Sequence, residues 1–147
     1  FEPGTWALAE AGWAITAPQY LAAIDGLHAV SRATVAWWET DGYDVLVTPT
    51  VAELPPTLGQ FSSTADNPLN GLFRSTVPAG FAAPFNITGQ PAVSVPLCTS
   101  DTGLPIGMQF VGAPAREDVL IRLAAQLEQA QPWADRRPAV WAGDRPA

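Results

Sequence analysis

The strongest constraint on the fold is a pair of apolar segments, residues 91–97 and 105–112, joined by the short polar connector CTSDTGLP, whose last residue begins the second segment. The connector contains an Asp-Thr-Gly turn signal, and its length suits antiparallel neighbours. A third segment, YDVLVTP, is rich in β-branched residues and shows no polar alternation, which is typical of a strand buried on both faces. We therefore predict three core strands, over about 44–49, 91–97 and 105–112.

Two regions show helical periodicity. Residues 117–130 have one apolar stripe with polar residues facing away from it, and Glu117 lies favourably at the positive N-terminal end. Within residues 5–40, apolar residues recur mostly at three- and four-residue steps after Thr16, a candidate N-cap. These patterns predict helices within 5–40 and over 117–130.

Two other segments lack regular periodicity. Residues 51–84 contain five prolines and predict an irregular excursion with one helical turn around 69–76. Residues 132–147 predict an extended tail anchored by Trp133 and Trp141. Because we find no internal repeat and no domain boundary, we expect residues 1–147 to form a single domain of the α/β class, with a mixed β-sheet and flanking helices.

The composition indicates a surface that another polypeptide covers. Hydrophobic residues make up 48% of the chain and charged residues only 14%, compared with roughly 25% charged residues in an average soluble domain. Strands that are apolar on both faces also leave edges and surface that need a cover. The chain is therefore expected to pair with a further segment or to associate with itself through exposed apolar surface.

The charge and the segment pattern exclude several partners. The net charge of -7 disfavours nucleic acid, because binding a phosphate backbone needs a concentrated basic surface. The sequence has neither an uninterrupted membrane-spanning segment nor the start of a signal peptide, so we expect no membrane association and a cytoplasmic location. Because the first residue is Phe1 rather than Met, we expect the chain to begin inside a longer reading frame or after a removed tag.

Few residues could carry chemistry by themselves. His28 is the only histidine and Asp25 lies three residues before it, but a serine would have to reach His28 through tertiary structure. Cys98 is the only cysteine and has no activating base nearby in the sequence, so it is expected to be a free, packed thiol in a reducing compartment. One His and one Cys do not supply the usual three or four ligands, so we expect no metal and no cofactor.

The order of the segments along the chain says more about the protein's family than any single residue does. YDVLVTPT, a proline-rich excursion, FNITGQPAVSVP, GLPIGMQFVG and the helical DVLIRLAAQLEQ follow one another in this sequence. From about residue 5 to the end, this order resembles the C-terminal portion of the amidase signature family of serine hydrolases. The resemblance implies the C-terminal part of an α/β/α fold.

The same resemblance implies that the catalytic residues and this chain belong to different parts of the enzyme. The family cleaves amide bonds with a serine nucleophile, a bridging serine in a cis peptide and a lysine base, and these residues precede the region that this chain matches. The chain contains no lysine, so no residue here receives a catalytic role. By position, the segment 48–50 and a loop over 81–88 lie near the acyl pocket, which makes Phe81, Phe85 and Asn86 the candidate substrate-lining residues.

Three functional hypotheses follow. The first is the C-terminal segment of an amidase, acting on a small-molecule amide together with an N-terminal segment that carries the triad. The second is a non-catalytic, truncated or split amidase-like module that acts in binding or assembly. The third is a stand-alone enzyme that uses His28 with a serine or with Cys98.

Overall fold

The computed structural model describes residues 1–138 and 140–141 of the 147-residue chain. The helices and strands, in chain order, are α1 (Pro3–Trp13), α2 (Ala17–Asp41), β1 (Val45–Pro49), α3 (Asn70–Ala79), α4 (Ala83–Thr88), β2 (Ala92–Thr99), β3 (Pro105–Gly112) and α5 (Glu117–Ala130). The part of the predicted tail at residues 139 and 142–147 lies outside the described residues. Within the described ranges, no helix has the length and hydropathy needed to cross a bilayer.

The three strands form one sheet in the order β1-β3-β2. Both pairings are antiparallel, and the β2–β3 pairing is the one that the short connector predicts. The predicted α/β class is confirmed, although the described residues contain no parallel pair of the expected mixed sheet. Because β3 lies in the centre, its alternate side chains face two different layers of helix.

One face of the sheet packs against α5. Val95, Phe110 and Leu120 are its buried residues, and the apolar stripe of α5 supplies further contacts. Trp133, from the segment after α5, joins the same cluster. The Asp-Thr-Gly turn signal therefore corresponds to the antiparallel β2–β3 pair, and the periodicity of α5 corresponds to the helix that covers one face of that pair.

The opposite face packs against α2 and α4. Trp38 of α2, Phe85 of α4 and Val111 of β3 form its buried cluster, and Val111 has no exposed surface. Trp38 is the only buried residue of α2, which is 25 residues long. Most of this helix therefore extends beyond the part of the chain that it packs on.

The start and end of α2 follow from local capping. The Thr16 backbone N–H donates to Oε1 of Gln19 at 2.9 Å, and Thr16 Oγ1 donates to the same oxygen at 2.8 Å. This contact satisfies a backbone donor that the first helical turn leaves free. At the other end Gly42 has φ +68°, the left-handed conformation that commonly ends helices.

The prediction of a loop over 81–88 was wrong, because residues 83–88 form α4. Pro84 lies in the first turn of the helix, where its missing N–H removes no helical hydrogen bond. Gly89 ends the helix with φ +70°, and its N–H donates to the Phe85 carbonyl at 2.9 Å. The helical turn predicted around 69–76 is likewise part of a longer helix, α3.

Gln90 connects the end of α4 to the sheet. Its side chain is 6% exposed, and Nε2 donates to the Gly112 carbonyl at 2.9 Å. Its Oε1 accepts from the Thr88 hydroxyl at 3.1 Å, while the Gly112 N–H donates to the Pro91 carbonyl at 3.0 Å. Gly89-Gln90-Pro91 thus ends a helix, bonds to β3 and leads directly into β2.

Polar contacts order the long segment between β1 and α3. The Arg74 guanidinium donates to both carboxylate oxygens of Glu53, at 2.6 and 2.8 Å, and to Gln60 Oε1 at 2.9 Å. Asn70 Nδ2 donates to the Gln60 and Ser62 carbonyls. Irregular backbone is held in place here because side chains of α3 supply its hydrogen-bond partners.

The Glu53–Arg74 pair predicts an acid-sensitive segment. Hydrogen bonds from Arg74 lower the pKa of the Glu53 carboxyl below its ordinary value. The pair therefore stabilises the fold above the ordinary glutamate pKa of about 4.3, and this contribution is lost as the pH falls through the lowered pKa. Urea unfolding between pH 7 and pH 3 should show a smaller loss of stability in Glu53→Gln than in wild type.

Asp66→Asn is the matched control, because Asp66 is an exposed acid of the same segment. It should retain the wild-type pH profile more closely than Glu53→Gln does. Identical pH profiles for wild type and Glu53→Gln would contradict the assignment.

Candidate functional site

A row of polar side chains crosses the α4 face of the sheet. Thr48 of β1 and Ser94 of β2 are both register partners of Gln109, on the central strand β3. Partners in register point to the same face, so these three side chains form one line across the sheet. The neighbouring row on this face, Leu46 and Val111 among its members, is apolar.

Gln109 is the most buried member of this polar row. It is 5% exposed, and its Nε2 donates to Thr48 Oγ1 at 3.1 Å and to the Phe81 carbonyl at 3.0 Å. A buried amide ordinarily finds such partners, because burying it unpaired is costly. These two bonds join β1, β3 and the residues before α4 at one point.

A pair of hydroxyls extends the polar row toward the end of β1. Thr50 Oγ1 and Ser94 Oγ form a short hydrogen bond, and the Thr50 N–H donates to the Gly107 carbonyl at 2.9 Å. A Cβ atom at Gly107 would lie 2.7 Å from each hydroxyl oxygen. Glycine at position 107 is therefore a requirement of the close approach of these two hydroxyls to β3.

The structure brings together two segments that, by the family resemblance, were expected near the acyl pocket. Residues 48–50 and Phe81 meet through the Gln109 amide. Phe81 is 37% exposed and Asn86 is exposed on α4, whereas Phe85 is 9% exposed within the Trp38 cluster. The substrate-lining role of these three residues stays a prediction, and Phe85 has a core role in addition.

An apolar depression adjoins the buried side of α4. It has a volume of about 290 Å³ and is lined by side chains of α2, β1 and α4: Thr34, Trp37, Trp38, Leu46, Pro84 and Phe85. Trp37 meets Trp38 edge-on at 4.6 Å between ring centroids and stacks on Tyr43 at the same distance. Trp38 Nε1 is buried and has no hydrogen-bond acceptor among residues 1–138 and 140–141.

The residues considered for independent catalysis lie on separate elements. His28 is exposed on α2, and Cys98, which was expected to be packed, is exposed near the end of β2. Within the described part of the chain, no group of three or more His, Cys, Asp and Glu side chains is arranged to hold a metal ion. None of these findings assigns chemistry to either residue.

The polar row is suited to binding a ligand rather than to catalysing a reaction. Ser94 bonds to another hydroxyl, and a hydroxyl is not a base that could take its proton, so this contact does not activate a nucleophile. The hydroxyls can, however, donate to and accept from a polar ligand, whereas both Nε2 hydrogens of the buried Gln109 are already donated within the fold. Sequence reasoning missed Gln109 and Ser94 because it read both strands as apolar; the available signal was a lone glutamine inside the apolar segment IGMQFV.

Comparison with protein families shows which family this chain belongs to. The family described as Amidase matches residues 5–121. The chain belongs to the amidase family. This match runs from α1 into α5 and includes all three strands.

Relatives of this chain include enzymes with a named activity. The 6-aminohexanoate-cyclic-dimer hydrolase of Paenarthrobacter ureafaciens is 37% identical over 141 residues, which cover 92% of this chain and 28% of that protein. A solved structure of 6-aminohexanoate cyclic dimer hydrolase superposes with a TM-score of 0.86 and 36% identity, covering 94% of this chain and 29% of that one. The structure of a bacterial aryl acylamidase of the amidase signature family has 26% identity and a TM-score of 0.60.

The chain thus spans about 28% of the length of the hydrolase from Paenarthrobacter ureafaciens. Its fold nevertheless agrees with the corresponding part of a much longer polypeptide. The predicted resemblance to the amidase signature family is confirmed, as is the expectation that the match is partial.

Proposed function

We propose that this chain is the C-terminal part of an amide-hydrolysing enzyme whose serine, cis-serine and lysine triad lies in a segment outside the chain. The single observation that carries the proposal is an amidase-family chain without any lysine. Serine attack on an amide needs a base to take the hydroxyl proton, and the family uses lysine for that role. A chain without lysine contributes structure and binding groups rather than the base.

The contribution of this chain is a supported pocket wall. The polar row presents the Thr50 and Ser94 hydroxyls, and the buried Gln109 amide holds the backbone of Phe81, a residue that is 37% exposed. Phe81 and Asn86 supply the exposed side of the wall, and Phe85 holds α4 on the sheet from behind. A few polar groups within a mainly apolar lining are typical of small-molecule sites.

The substrate we propose is a small amide. One relative is named for hydrolysis of the 6-aminohexanoate cyclic dimer, and a structural neighbour is an aryl acylamidase. The wall described above carries no charged group in its polar row, which suits a neutral amide better than a charged one. The cyclic dimer and a simple aryl amide are therefore suitable test substrates.

A chimera tests the proposal. Residues of this chain replace the matching 141 residues of the Paenarthrobacter ureafaciens hydrolase, and both substrates are assayed with the chimera and with the chain alone. The chimera should hydrolyse at least one amide about a thousandfold or more faster than the chain alone, since serine catalysis supplies rate factors of at least that order. The chain alone should show no turnover.

Two results would contradict the proposal. Turnover by the purified chain alone, blocked by a serine-hydrolase reagent, would place the catalytic groups in this chain. A folded chimera that binds amide without cleaving it would instead favour the non-catalytic module.

A further inference from the structure

A second cavity lies on the α5 side of the sheet, on the other face from the polar row. It has a volume of about 430 Å³, and its lining includes Cys98, near the end of β2, together with Trp133, Arg136 and Arg137 from the segment after α5. Trp133 also packs on the buried cluster of the α5 face. The cavity shares no lining residue with the polar row, so it is a separate place on the molecule. We call it the arginine cavity.

Two hydrogen bonds hold the segment after α5 against the end of β2. The Arg136 guanidinium donates from Nη1 to the Pro96 carbonyl at 2.9 Å, and Gln131 Nε2 donates to the Leu97 carbonyl at 2.7 Å. Pro96 and Leu97 lie where the β2–β3 register shifts, which indicates a β-bulge. Bulges are common at sheet edges and beside functional sites. The two walls of the arginine cavity are therefore bonded to each other.

The two arginines place positive charge in the cavity of an acidic protein. The chain has a net charge of -7 and only seven basic residues, and two of these are adjacent in this one lining. The Arg137 guanidinium lies over the Trp141 ring, 5.1 Å from its centroid. Within residues 1–138 and 140–141, neither arginine forms an ion pair. Asp101 and Asp135, the acids nearest in sequence, do not line the cavity.

The lining matches an organic anion with an apolar body. A guanidinium has five N–H donors and can hold a carboxylate through two parallel hydrogen bonds, so Arg136 has donors left beside its bond to Pro96. Trp133 and three prolines supply apolar surface around these charges. The volume lies within the range of about 300–1,000 Å³ that is usual for small-molecule sites.

We propose that the arginine cavity binds a small carboxylate with an aromatic or other apolar body. Arg136 and Arg137 bind the carboxylate, and Trp133 packs on the body of the ligand. The inference does not depend on the proposed function, because the cavity and the polar row lie on different faces of the sheet. Cys98 has no role in the binding, but its exposed thiol lies in the lining and allows occupancy to be measured.

Thiol modification of the full chain tests the site. Dithiobis(nitrobenzoate) consists of two aromatic carboxylates joined by a disulfide, whereas dithiodipyridine is a neutral disulfide. With either reagent the Cys98 sulfur forms a disulfide with one sulfur of the reagent, the S–S bond of the reagent breaks, its other half leaves as a thiolate, and the thiol proton passes to solvent. Because Cys98 is the only cysteine, the rate of thiolate release reports this site alone.

Arg137→Gln and Arg136→Gln should each slow the reaction with dithiobis(nitrobenzoate) about threefold to tenfold, because each removes charge-assisted hydrogen bonds at a partly screened site. The reaction with dithiodipyridine should change by less than about twofold, since this reagent has no charge for a guanidinium to bind. Arg32→Gln is the matched control: it makes the same change in net charge at an exposed position of α2 and should leave both rates within about twofold of wild type.

Protection by a ligand gives a second readout. Benzoate at millimolar concentration should slow the reaction of Cys98 with both reagents, and Arg137→Gln should abolish this protection. Benzamide, the neutral analogue, should not protect. The Arg137 side chain forms no hydrogen bond with the rest of the described chain, so this variant keeps the test decisive if Arg136→Gln, which loses the bond to Pro96, does not fold.

Three results would overturn the proposal. Equal rate losses with the charged and the neutral reagent would show that the arginines act on the thiol rather than on a bound anion. Equal effects of Arg137→Gln and Arg32→Gln would show general charge attraction without a site. Absence of protection by benzoate, or equal protection by benzamide, would show that the cavity does not select a carboxylate.

Discussion

Phe85→Ala is expected to lower the free energy of unfolding of this chain by about 3–5 kcal/mol, the usual cost of truncating a buried phenylalanine. Phe85 is 9% exposed and packs with Trp38 and Val111, so its removal leaves a cavity between α2, α4 and the sheet. Urea unfolding followed by circular dichroism measures the change. This is the largest single-residue effect that we expect from the α4 face.

Phe73→Ala provides the control for the loss of an aromatic ring. Phe73 lies on α3 and is 66% exposed, so its truncation should change the stability by no more than about 0.5 kcal/mol. Equal losses for the two variants would show that Phe85 is not part of the core. If Phe85→Ala lowered the free energy of unfolding by much less than about 3 kcal/mol, Phe85 would contribute to the proposed substrate pocket rather than to the core.

Gln109→Leu is expected to lower the free energy of unfolding by about 1–3 kcal/mol, because it leaves two acceptors without their donor. The acceptors are Thr48 Oγ1 and the Phe81 carbonyl, which the Gln109 amide holds together. Hydrogen exchange should also rise around residues 80–82, the connection between α3 and α4. The same urea titration measures the stability.

Gln129→Leu is the control for the change from glutamine to leucine. Gln129 is exposed on α5, away from the polar row, so this variant should retain wild-type stability within about 0.5 kcal/mol. If Gln109→Leu were as stable as Gln129→Leu, the hydrogen bonds of the Gln109 amide to Thr48 and Phe81 would contribute nothing to stability.

The elements that sequence reasoning located best are those whose pattern is local. The apolar stripe of α5 and the turn between β2 and β3 are encoded within a dozen residues each, and the helix and the antiparallel pair follow from them. The loop over 81–88, which the family resemblance implied, was wrong for residues 83–88. In the structure Pro84 and Gly89 mark the first turn and the end of a short helix.

The polar row could not be predicted from the sequence for a different reason. Thr48, Ser94 and Gln109 are 46 and 15 residues apart in sequence and meet only through the strand register. Register depends on the whole sheet, so no local pattern places these side chains side by side. The family resemblance brought residues 48–50 and Phe81 into one neighbourhood, but it did not identify the amide between them.

Both ends of α4 are bonded to the same strand. The carbonyl of Phe81, just before the helix, accepts from Gln109, and Gln90, just after it, donates to Gly112. These two bonds fix the residues on either side of α4 relative to β3. A ligand of the proposed pocket wall would therefore meet preorganised backbone, and its binding would cost less conformational entropy than ordering a mobile loop.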